Sequence, residues 1–261
     1  SGDMYLLQGL ASVGAMALHS AMLIRDVSVR DTFVSIASHE LRTPLTAVIG
    51  YSDLLLRRDP PEATRKQWLQ TILDSGLKIA EMADDLLDIS RIRSGKIALK
   101  IEKTQLPQIL SEQCISASSF TEKHNIVLDV AQNLDEVFID RNKFGQILAN
   151  LLNNAVKYSP KGGRITLSAR NDNAENRVIV SVADEGMGIS PADKESLFKT
   201  FHRIQRQETI SIRGIGLGLY IVKEWTEAMR GKVWFDSELN KGSTFYVALP
   251  TRPPEKPAHA C

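Results

Sequence analysis

The sequence predicts an α+β protein of more than one domain, with an antiparallel helical hairpin followed by an α/β sandwich that has a mixed sheet. Three observations predict this architecture. The chain has 261 residues, more than the usual length of a single domain. Apolar residues keep a helical period as far as residue 95, and strand-like segments begin only after it. Those strands and the helices between them do not alternate regularly, which favours a mixed sheet over a parallel one.

Composition excludes several classes of function. Lys and Arg number 32 against 31 Asp and Glu, so the formal charge of +1 argues against a nucleic-acid partner bound by bulk charge. Cys114 and Cys261 cannot build a disulfide framework, which indicates a reducing, cytoplasmic compartment. No apolar run reaches the roughly 18 residues of a membrane span. The longest weakly polar stretch, residues 6–24, is broken by polar side chains, so we expect no membrane span in this chain.

Two long helices account for the first half of the chain. In the first helix, apolar residues recur every seven positions, at Val34, Leu41, Val48 and Leu55. Pro60 and Pro61 then end this helix, because proline lacks the amide hydrogen and disfavours helical geometry in the residue before it. The second helix has two apolar columns: Ile72, Ile79 and Leu86, and Leu73, Ala80 and Leu87. A single hairpin cannot cover both columns, so we expect a homodimer that forms a four-helix bundle.

These patterns divide the chain into four segments. Residues 1–29 are expected to form a signalling helix or coiled coil that runs into the hairpin, and the alternative is the last helix of an upstream domain. Residues 30–95 form the hairpin and residues 96–251 the sandwich. Residues 252–261 are rich in proline and are expected to be a disordered tail.

The elements of the sandwich follow from β-branched content and periodicity. The predicted strands are Ile97–Glu102, Ile126–Val130, Arg164–Ala169, Val178–Ala183, Val233–Asp236 and Thr244–Leu249. The predicted helices are Leu106–Lys123, Asn142–Tyr158, Ala192–Phe201 and Leu217–Met229.

A histidine on the first helix is the first candidate for chemistry. His39 lies five positions after Val34, so it points away from the buried column. Glu40 beside it can orient the ring and accept a proton from one nitrogen, which leaves the other nitrogen for attack on an electrophile. Thr43 is four residues on and shares the same face. Pro44 removes a hydrogen bond inside the helix and favours a bend next to the histidine.

The predicted helix Asn142–Tyr158 carries the first part of a candidate nucleotide site. Asn150 and Asn154 lie on one helix face, and Lys157 is three residues further along it. Neutral amide oxygens suit a Mg²⁺ ion that already carries phosphate ligands, and the lysine balances phosphate charge. The other interpretation is a helix with exposed polar residues.

Glycine-rich segments supply the rest of that site. Asp184 follows a strand and can accept the exocyclic amine of adenine, while Gly186 and Gly188 allow the backbone to approach a flat base. A turn with Asp and Gly is also a common structural feature. Arg203 is a candidate phosphate contact. A second glycine segment contains Gly214, Gly216 and Gly218 and opens a helix, where free backbone amides attract phosphate. The polar stretch between Arg203 and Gly214 predicts a mobile lid.

Together these segments resemble the bacterial two-component sensor histidine kinases. The segment 38–45 is similar to the phosphoacceptor box of that family, and the segment 150–158 to its asparagine box. The segments 184–188, 198–201, 214–219 and 242–245 resemble its first glycine box, phenylalanine box and two further glycine boxes. The six boxes occur in the order that the family has. The resemblance implies a dimerisation hairpin joined to a gyrase-type ATP-binding domain, with an upstream sensor domain that is not in this chain.

The resemblance also implies roles for particular residues. His39 would take the γ-phosphoryl group of ATP and pass it to an aspartate of a response regulator receiver domain, with Glu40 as general base. Thr43 would position water for dephosphorylation of that regulator. The nucleotide would be bound by the asparagine box and the glycine boxes, with Asn154 coordinating Mg²⁺ and Asp184 holding adenine. The full set of implied nucleotide contacts is Asn150, Asn154, Lys157, Tyr158, Asp184, Gly186, Gly188, Arg203, Gly214, Gly216, Leu217, Gly218 and Thr244.

Two other functions are compatible with parts of this pattern. An ATPase or chaperone-like machine would release phosphate to water without using His39. A silent scaffold would dimerise and bind ATP without transfer. The scaffold is motivated by Arg213 and Ile215, which stand where the family often has glycine and threonine.

Overall fold

The computed structural model describes residues 38, 40–93, 98–198 and 216–253. The chain divides into two compact units, Ser1–Met82 and Ala83–Cys261. The predicted signalling helix of residues 1–29 and the predicted lid lie outside the described residues. The predicted disordered tail also lies outside them from residue 254 onward.

Two helices form the predicted antiparallel hairpin. Helix α1 covers residues 40–57, and α2 is Glu62–Arg93. The rings of Tyr51 on α1 and Trp68 on α2 lie with their centroids 6.1 Å apart, which joins the two helices on either side of the proline turn. Among the described residues, no helix is long and apolar enough to cross a membrane.

The hairpin leaves a large apolar surface uncovered. Leu41, Val48 and Leu55 of α1 are half-buried, and so are Ile72, Ile79 and Leu86 of α2. The second predicted column of α2 faces outward, because Leu73 and Leu87 are more than half exposed. Further exposed apolar side chains on the two helices are Leu45, Ile49, Leu56, Leu69 and Leu77. A single hairpin therefore covers only one of its two columns.

The sandwich contains a five-stranded sheet in the order β2-β4-β5-β7-β6. Its strands are β2 (His124–Val130), β4 (Gly163–Asp172), β5 (Arg177–Asp184), β6 (Lys232–Glu238) and β7 (Gly242–Pro250). Strand β2 pairs with β4 in parallel, and the other three pairs are antiparallel. The predicted mixed sheet is thus confirmed. Strands β1 (Glu102–Thr104) and β3 (Val137–Ile139) form a separate antiparallel pair.

Helices pack against this sheet and enclose the core. They are α3 (Leu106–Ser119), α4 (Arg141–Tyr158) and α6 (Gly218–Ala228), whereas the short α5 (Pro191–Lys194) contributes no buried residue. Every second residue of β4 and β5 is buried, as expected for a sheet with one covered face. The largest fully buried side chains of the sandwich include Trp225, Phe144, Leu106, Ile109, Leu110, Ile139, Ile147, Leu148, Leu151, Leu152 and Ile165.

Three predicted elements differ from the structure. The strand expected at Ile97–Glu102 begins only at Glu102, because only residues 102–104 pair with β3. The helix expected to reach Lys123 ends at Ser119, where the amide of Phe120 donates to the Ala117 carbonyl and tightens the last turn. Of the helix expected at Ala192–Phe201, only α5 is helical among the described residues. Strand β3 is too short to give a periodic signal and was not predicted.

Candidate functional site

Helix α4 begins at a capping aspartate and separates an apolar face from a polar one. Asp140 Oδ1 accepts the amides of Asn142 and Lys143 at 3.0 and 3.1 Å, which satisfies two of the first amides of the helix. The buried face consists of Phe144, Ile147, Leu148, Leu151, Leu152 and Ala155. Asn150, Asn154 and Lys157 lie outside this face and are half-buried. The structure therefore places these three residues on the polar side of one well-anchored helix.

Asn150 lies against the start of α6. Its Nδ2 donates to the carbonyl oxygen of Gln146 at 3.1 Å, which fixes the orientation of the amide group. A Cβ atom on Gly218 would stand 2.6 Å from Asn150 Oδ1. The two helices can approach this closely only because residue 218 has no side chain. The asparagine segment and the second glycine segment, which are far apart in sequence, are thus in direct contact.

The C-terminal end of α4 supports the turn after β5. The carbonyl oxygen of Tyr158 accepts the amide of Met187 at 3.0 Å. Lys157 Nζ lies 5.4 Å from the centroid of the Tyr158 ring. His124 Nε2 lies 2.8 Å from the Ser159 carbonyl oxygen and ties the start of β2 to the same helix end.

Asp184 is the last residue of β5 and is half-buried. The amide of Gly186 donates to Asp184 Oδ1 at 2.8 Å, and the backbone of Ser243 donates a second hydrogen bond. Burial raises the pKa of the Asp184 carboxyl, and these two hydrogen bonds oppose the rise. The carboxylate is held in a fixed orientation with acceptor capacity remaining, as an interaction with an amine requires.

Gly186 and Gly188 are required by close backbone contacts. A Cβ atom on Gly186 would collide with the carbonyl of Tyr158, and one on Gly188 would collide with the carbonyl of Glu238. Gly188 also has φ of 63°, in the left-handed region that favours glycine. The turn therefore packs between α4 and the β6–β7 hairpin. This packing alone explains why both positions are glycine, and no ligand is needed for that explanation.

The β6–β7 hairpin packs against this turn and is hydrogen-bonded to it. Ser237 Oγ accepts the amide of Ile189 at 2.8 Å and lies 2.9 Å from Ser243 Oγ. Thr244 follows Ser243 on β7 and is half-buried. The structure brings Asp184 and Ser243 together as neighbours across β5 and β7, and Thr244 pairs with the preceding residue, Ala183.

The start of α6 is a short turn at the edge of the described residues. Gly216 has φ of 75°, Leu217 is buried, and the Leu217 carbonyl accepts the amide of Ile221 at 2.9 Å. No described side chain caps the helix at Leu217. Amides at such a helix start form a suitable anion site when a ligand provides the acceptor.

Three aromatic rings form a row that extends from Phe198 to strands β6 and β7. Phe198 contacts Phe235 edge to face at 5.8 Å, and Phe235 stacks on Phe245 at 5.5 Å. Phe198, the described residue of the predicted phenylalanine box, therefore packs against β6 and β7. Two predicted phosphate contacts, Arg203 and Gly214, lie outside the described residues.

An open cavity of about 390 Å³ borders Asp184 on the side of the β6–β7 hairpin. Its walls come from the ends of β6 and β7 and from α5, and they carry three carboxylates and two lysines. Asn154 and Lys157 do not line it. The cavity therefore shares Asp184 and Thr244 with the candidate nucleotide site but does not include its α4 residues.

Residues 40–45 of the predicted phosphoacceptor segment lie on α1 in the other compact unit. His39 itself lies outside the described residues. Glu40 is half-buried and Thr43, one turn on, is exposed. Pro44 is buried inside a helix that is continuous over residues 40–57. A proline inside the helix, and not at its end, agrees with the sequence prediction.

Three positioning residues were not predicted from sequence as part of the site. Asp140 caps α4, Ser243 bonds Asp184, and Ser237 bonds the turn after Asp184. The Asp140 cap could have been found, because an aspartate directly before a helical pattern is a standard start signal. The two serines give no such signal, since their roles depend on the pairing of distant strands.

Comparisons with known proteins assign the chain to a family. Residues 29–95 match the family model of the His Kinase A (phospho-acceptor) domain, and residues 139–253 match that of the histidine kinase-, DNA gyrase B- and HSP90-like ATPases. The first match contains His39 and the second contains Asn154 and Asp184. The chain belongs to the bacterial two-component sensor histidine kinases, as the sequence motifs predicted.

Curated relatives share about a third of their aligned residues with the chain. Sensor histidine kinase WalK of Bacillus subtilis is 34% identical over 226 residues, which cover 85% of this chain and 36% of WalK. Circadian input-output histidine kinase CikA of Synechococcus elongatus is 34% identical over 224 residues, covering 84% of this chain and 29% of CikA. The chain thus spans about a third of the length of these two relatives.

Solved structures share the fold. Full-length ShkA in complex with AMPPNP is 27% identical with a TM-score of 0.62, covering 84% of this chain and 45% of ShkA. Histidine kinase ThkA in complex with response regulator protein TrrA is 22% identical with a TM-score of 0.65, covering 89% of this chain and 65% of ThkA. The predicted fold class is confirmed by these neighbours.

Proposed function

We propose that this chain is the core of an ATP-dependent, autophosphorylating histidine kinase. It would transfer the γ-phosphoryl group of ATP to His39 and then to an aspartate of a response regulator. The observation that carries this proposal is the fixed, half-buried carboxylate of Asp184 at the end of β5, in a chain whose phosphoacceptor segment precedes it. ATP supply places the proposed reaction in the cytoplasm.

The nucleotide would lie between α4, the turn after β5 and the start of α6. Asp184 would accept the exocyclic amine of adenine, with Gly186 and Gly188 beside the base. Lys157 and Tyr158 would contact phosphates and sugar. The remaining proposed contacts are Asn150, Gly216, Leu217, Gly218 and Thr244 among the described residues, and Arg203 and Gly214 outside them. The ShkA structure, which was solved with AMPPNP, supports the binding of a nucleotide by a chain of this fold.

A Mg²⁺ ion fits the residues of α4. The oxygen of the Asn154 amide is the ligand type that Mg²⁺ prefers, and the half-buried position of Asn154 leaves the side chain accessible. Among the described residues, no group of three His, Cys, Asp or Glu side chains could hold a metal alone. Asn154 would therefore hold the ion together with phosphate oxygens, and the bound ion would neutralise phosphate charge.

The transfer step follows from the residues of α1. One imidazole nitrogen of His39 attacks the γ-phosphorus, a P–N bond forms, and the bond from that phosphorus to the bridging oxygen breaks as ADP leaves. Glu40 accepts the proton from the other ring nitrogen. This reaction needs positioning and charge neutralisation more than covalent chemistry by the protein.

Labelling with γ-labelled ATP tests the kinase proposal. The wild-type chain is expected to acquire an acid-labile, alkali-stable label, and His39→Gln is expected to abolish it. His259→Gln is the matched control in the C-terminal tail and should label normally. Label that survives His39→Gln would refute the site. Phosphate release that does not depend on His39 would indicate the ATPase, and bound ATP without label would indicate the scaffold.

A second activity is proposed for the exposed Thr43. Thr43 lies one helical turn after His39 and is open to solvent, so it can orient water toward a phosphorylated partner. The relative LuxQ of Vibrio vulnificus, 34% identical over 233 residues, is named a sensor kinase/phosphatase. We expect Thr43→Ala to keep autophosphorylation and to slow dephosphorylation of the regulator.

Homodimerisation is proposed from the uncovered apolar column of the hairpin. The phosphoacceptor domain match and the exposure of Leu73 and Leu77 support it. The regulator partner is proposed from the family and from the shared fold of ThkA, whose complex contains a response regulator.

A further inference from the structure

His124 connects the start of β2 to the C-terminal end of α4. Its Nε2 lies 2.8 Å from the carbonyl oxygen of Ser159, the residue that directly follows α4. A carbonyl oxygen can only accept a hydrogen bond, so Nε2 carries a hydrogen and donates it. The other ring nitrogen, Nδ1, lies 2.6 Å from the hydroxyl oxygen of Thr121. Both nitrogens of the imidazole are therefore hydrogen-bonded, and the ring is held from two sides.

Ser159 is the residue through which this contact reaches the helix. It is only 2% exposed, and its carbonyl oxygen also accepts the amide of Gly162 at 2.9 Å. The two donors use both lone pairs of that oxygen. The Ser159 hydroxyl donates to the carbonyl of Ala155 within α4, and its oxygen lies 3.0 Å from His124 Nε2. The last turn of α4 is thus joined to β2 by one side chain, that of His124.

The same helix end carries two of the proposed nucleotide contacts. Lys157 and Tyr158 are the last two residues of α4, directly before Ser159. Both are half-buried, and Lys157 Nζ lies 5.4 Å from the centroid of the Tyr158 ring. A helix end frays unless its last carbonyls find partners. The direction in which these two side chains leave the helix therefore depends on how firmly Ser159 is held.

The adenine side of the proposed site has anchors of its own. The Asp184 carboxylate accepts a hydrogen bond from the backbone of Ser243 on β7. The turn after Asp184 bonds the Tyr158 carbonyl through the amide of Met187, but the Met187 carbonyl also accepts the amide of Asn240 at 2.8 Å. The β6–β7 hairpin thus holds this turn independently of α4. Loss of the His124 contact should affect the phosphate side of the site more than the adenine side.

We propose that His124 is a positioning residue for the phosphate side of the nucleotide site. By holding the Ser159 carbonyl, it keeps Lys157 and Tyr158 directed toward the phosphates and the sugar. This inference rests on the proposed kinase function, which assigns those two contacts. Both ring nitrogens of His124 are already hydrogen-bonded to protein atoms, so the residue acts through Ser159 and not on the nucleotide itself.

Substitutions of different reach separate the two hydrogen bonds of His124. The amide of glutamine extends about as far from the backbone as Nε2, so His124→Gln keeps a donor for Ser159. The shorter His124→Asn reaches only the position of Nδ1 and loses the Ser159 bond. His124→Leu removes both bonds but fills a similar volume. Asn125→Ala is the matched control, because Asn125 is the exposed next residue of β2 and its side chain lies on the opposite face of the sheet.

Each variant is studied as the full chain, with its fold checked by circular dichroism. NMR titrations with AMPPNP and Mg²⁺, and with adenosine, which has no phosphate, give the two affinities. His124→Asn and His124→Leu should weaken AMPPNP about tenfold, as loss of one hydrogen bond predicts, and keep adenosine within about twofold. His124→Gln should bind AMPPNP within about threefold of wild type. Asn125→Ala should match wild type with both ligands.

The two ligands distinguish positioning from a general loss of structure. An equal loss of AMPPNP and adenosine overturns the positioning role, and so does a His124→Gln chain that binds AMPPNP as weakly as His124→Asn. If one of the Asn and Leu variants does not fold, the other decides, and unchanged AMPPNP affinity in it also overturns the role.

The wild-type chain tests the proposed function separately. A wild-type chain that binds neither ligand overturns the proposed nucleotide site and this inference with it. A wild-type chain that binds AMPPNP but is never labelled by ATP overturns only the phosphoryl transfer. In that case, the two affinities still decide whether His124 positions the end of α4.

Discussion

Gly218, the first residue of α6, lies so close to Asn150 on α4 that a methyl group on the glycine would stand 2.6 Å from Asn150 Oδ1. Gly218→Ala must therefore push α6 or the asparagine side chain out of place. Such overpacking costs about 1–3 kcal/mol in well-packed regions. Because both residues border the proposed phosphate site, we expect nucleotide affinity to fall about tenfold. Titration with a fluorescent ATP analogue measures this effect.

Gly145 provides the control for that substitution. It lies on α4, and a Cβ atom there would have as its nearest neighbour Gln113 Nε2 at 3.7 Å, an ordinary contact. Gly145→Ala should keep nucleotide affinity and stabilise the domain by about 0.5–1 kcal/mol, because alanine favours the helix. Equal affinities in the two variants would contradict the role assigned to the contact between Gly218 and Asn150.

Replacement of Asp184 by asparagine tests the proposed adenine contact. The carboxylate accepts backbone hydrogen bonds from Gly186 and Ser243, and a nucleotide amine would use its remaining acceptor capacity. A hydrogen bond to a charged group contributes about 1.5–3 kcal/mol, so Asp184→Asn should weaken ATP binding about 10- to 100-fold. Isothermal titration calorimetry measures the change. Asp236→Asn, an exposed carboxylate nearby, should leave binding unchanged.

Nucleotide affinity should depend on pH through the same group. Burial raises the pKa of Asp184, so its proton is retained at a higher pH than the usual value of about 3.9. The proposed amine contact needs the ionised carboxylate. Affinity should therefore fall as pH decreases through the raised pKa, and this part of the dependence should be missing in Asp184→Asn. Identical pH profiles in the two proteins would exclude Asp184 as the titrating group.

Stability of the nucleotide-free domain should show the opposite dependence. The folded state binds the Asp184 proton more tightly than the unfolded state does, so the bound proton increases the free energy of unfolding. This contribution is complete below the ordinary carboxyl pKa. It is lost as pH rises through the raised pKa of the folded state. Bound nucleotide should reverse this trend, since it favours the ionised form. Thermal unfolding with and without ADP, compared over this pH range, measures both signs.

Sequence patterns were sufficient for the elements that are long and amphipathic. The heptad spacing of Leu41, Val48 and Leu55 predicted the hairpin, and alternation predicted β4 and β5 closely. Short segments were predicted less well. Among the described residues of the strand expected at Ile97–Glu102, residues 98–101 do not pair with β3. Strand β3 has only three residues and needs β1 to define it.

The candidate site, like the fold, could be predicted from the sequence only in part. Motif order identified Asp184 and the polar face of α4, since those signals are local in the chain. The contacts around them are not local in the chain. Ser243 on β7 lies opposite Asp184 on β5, and Lys143 on α4 is bonded to Asp88, which lies 55 residues earlier. Such contacts depend on tertiary packing, which a single sequence does not encode in any short window.

Charge on the outward column of the hairpin tests dimerisation. Leu73 is 55% exposed in the single chain, whereas Leu86 of the inner column is half-buried within its own hairpin. In a symmetric bundle, each copy would cover the outer column of the other, so Leu73→Glu would bury two like charges close together. Burial of unpaired charge is strongly unfavourable, and we expect monomers at micromolar concentration by light scattering.

Two controls separate this effect from loss of the fold. Lys66→Glu introduces a negative charge at an exposed polar position of the same helix and should leave the dimer intact. Circular dichroism of Leu73→Glu should retain the signal of the sandwich, because Leu73 lies in the unit Ser1–Met82 and the sandwich lies in the other. A Leu73→Glu chain that keeps the mass of a dimer would show that the outward column is not the dimer interface, and the apolar side chains exposed on the hairpin would then require a different partner.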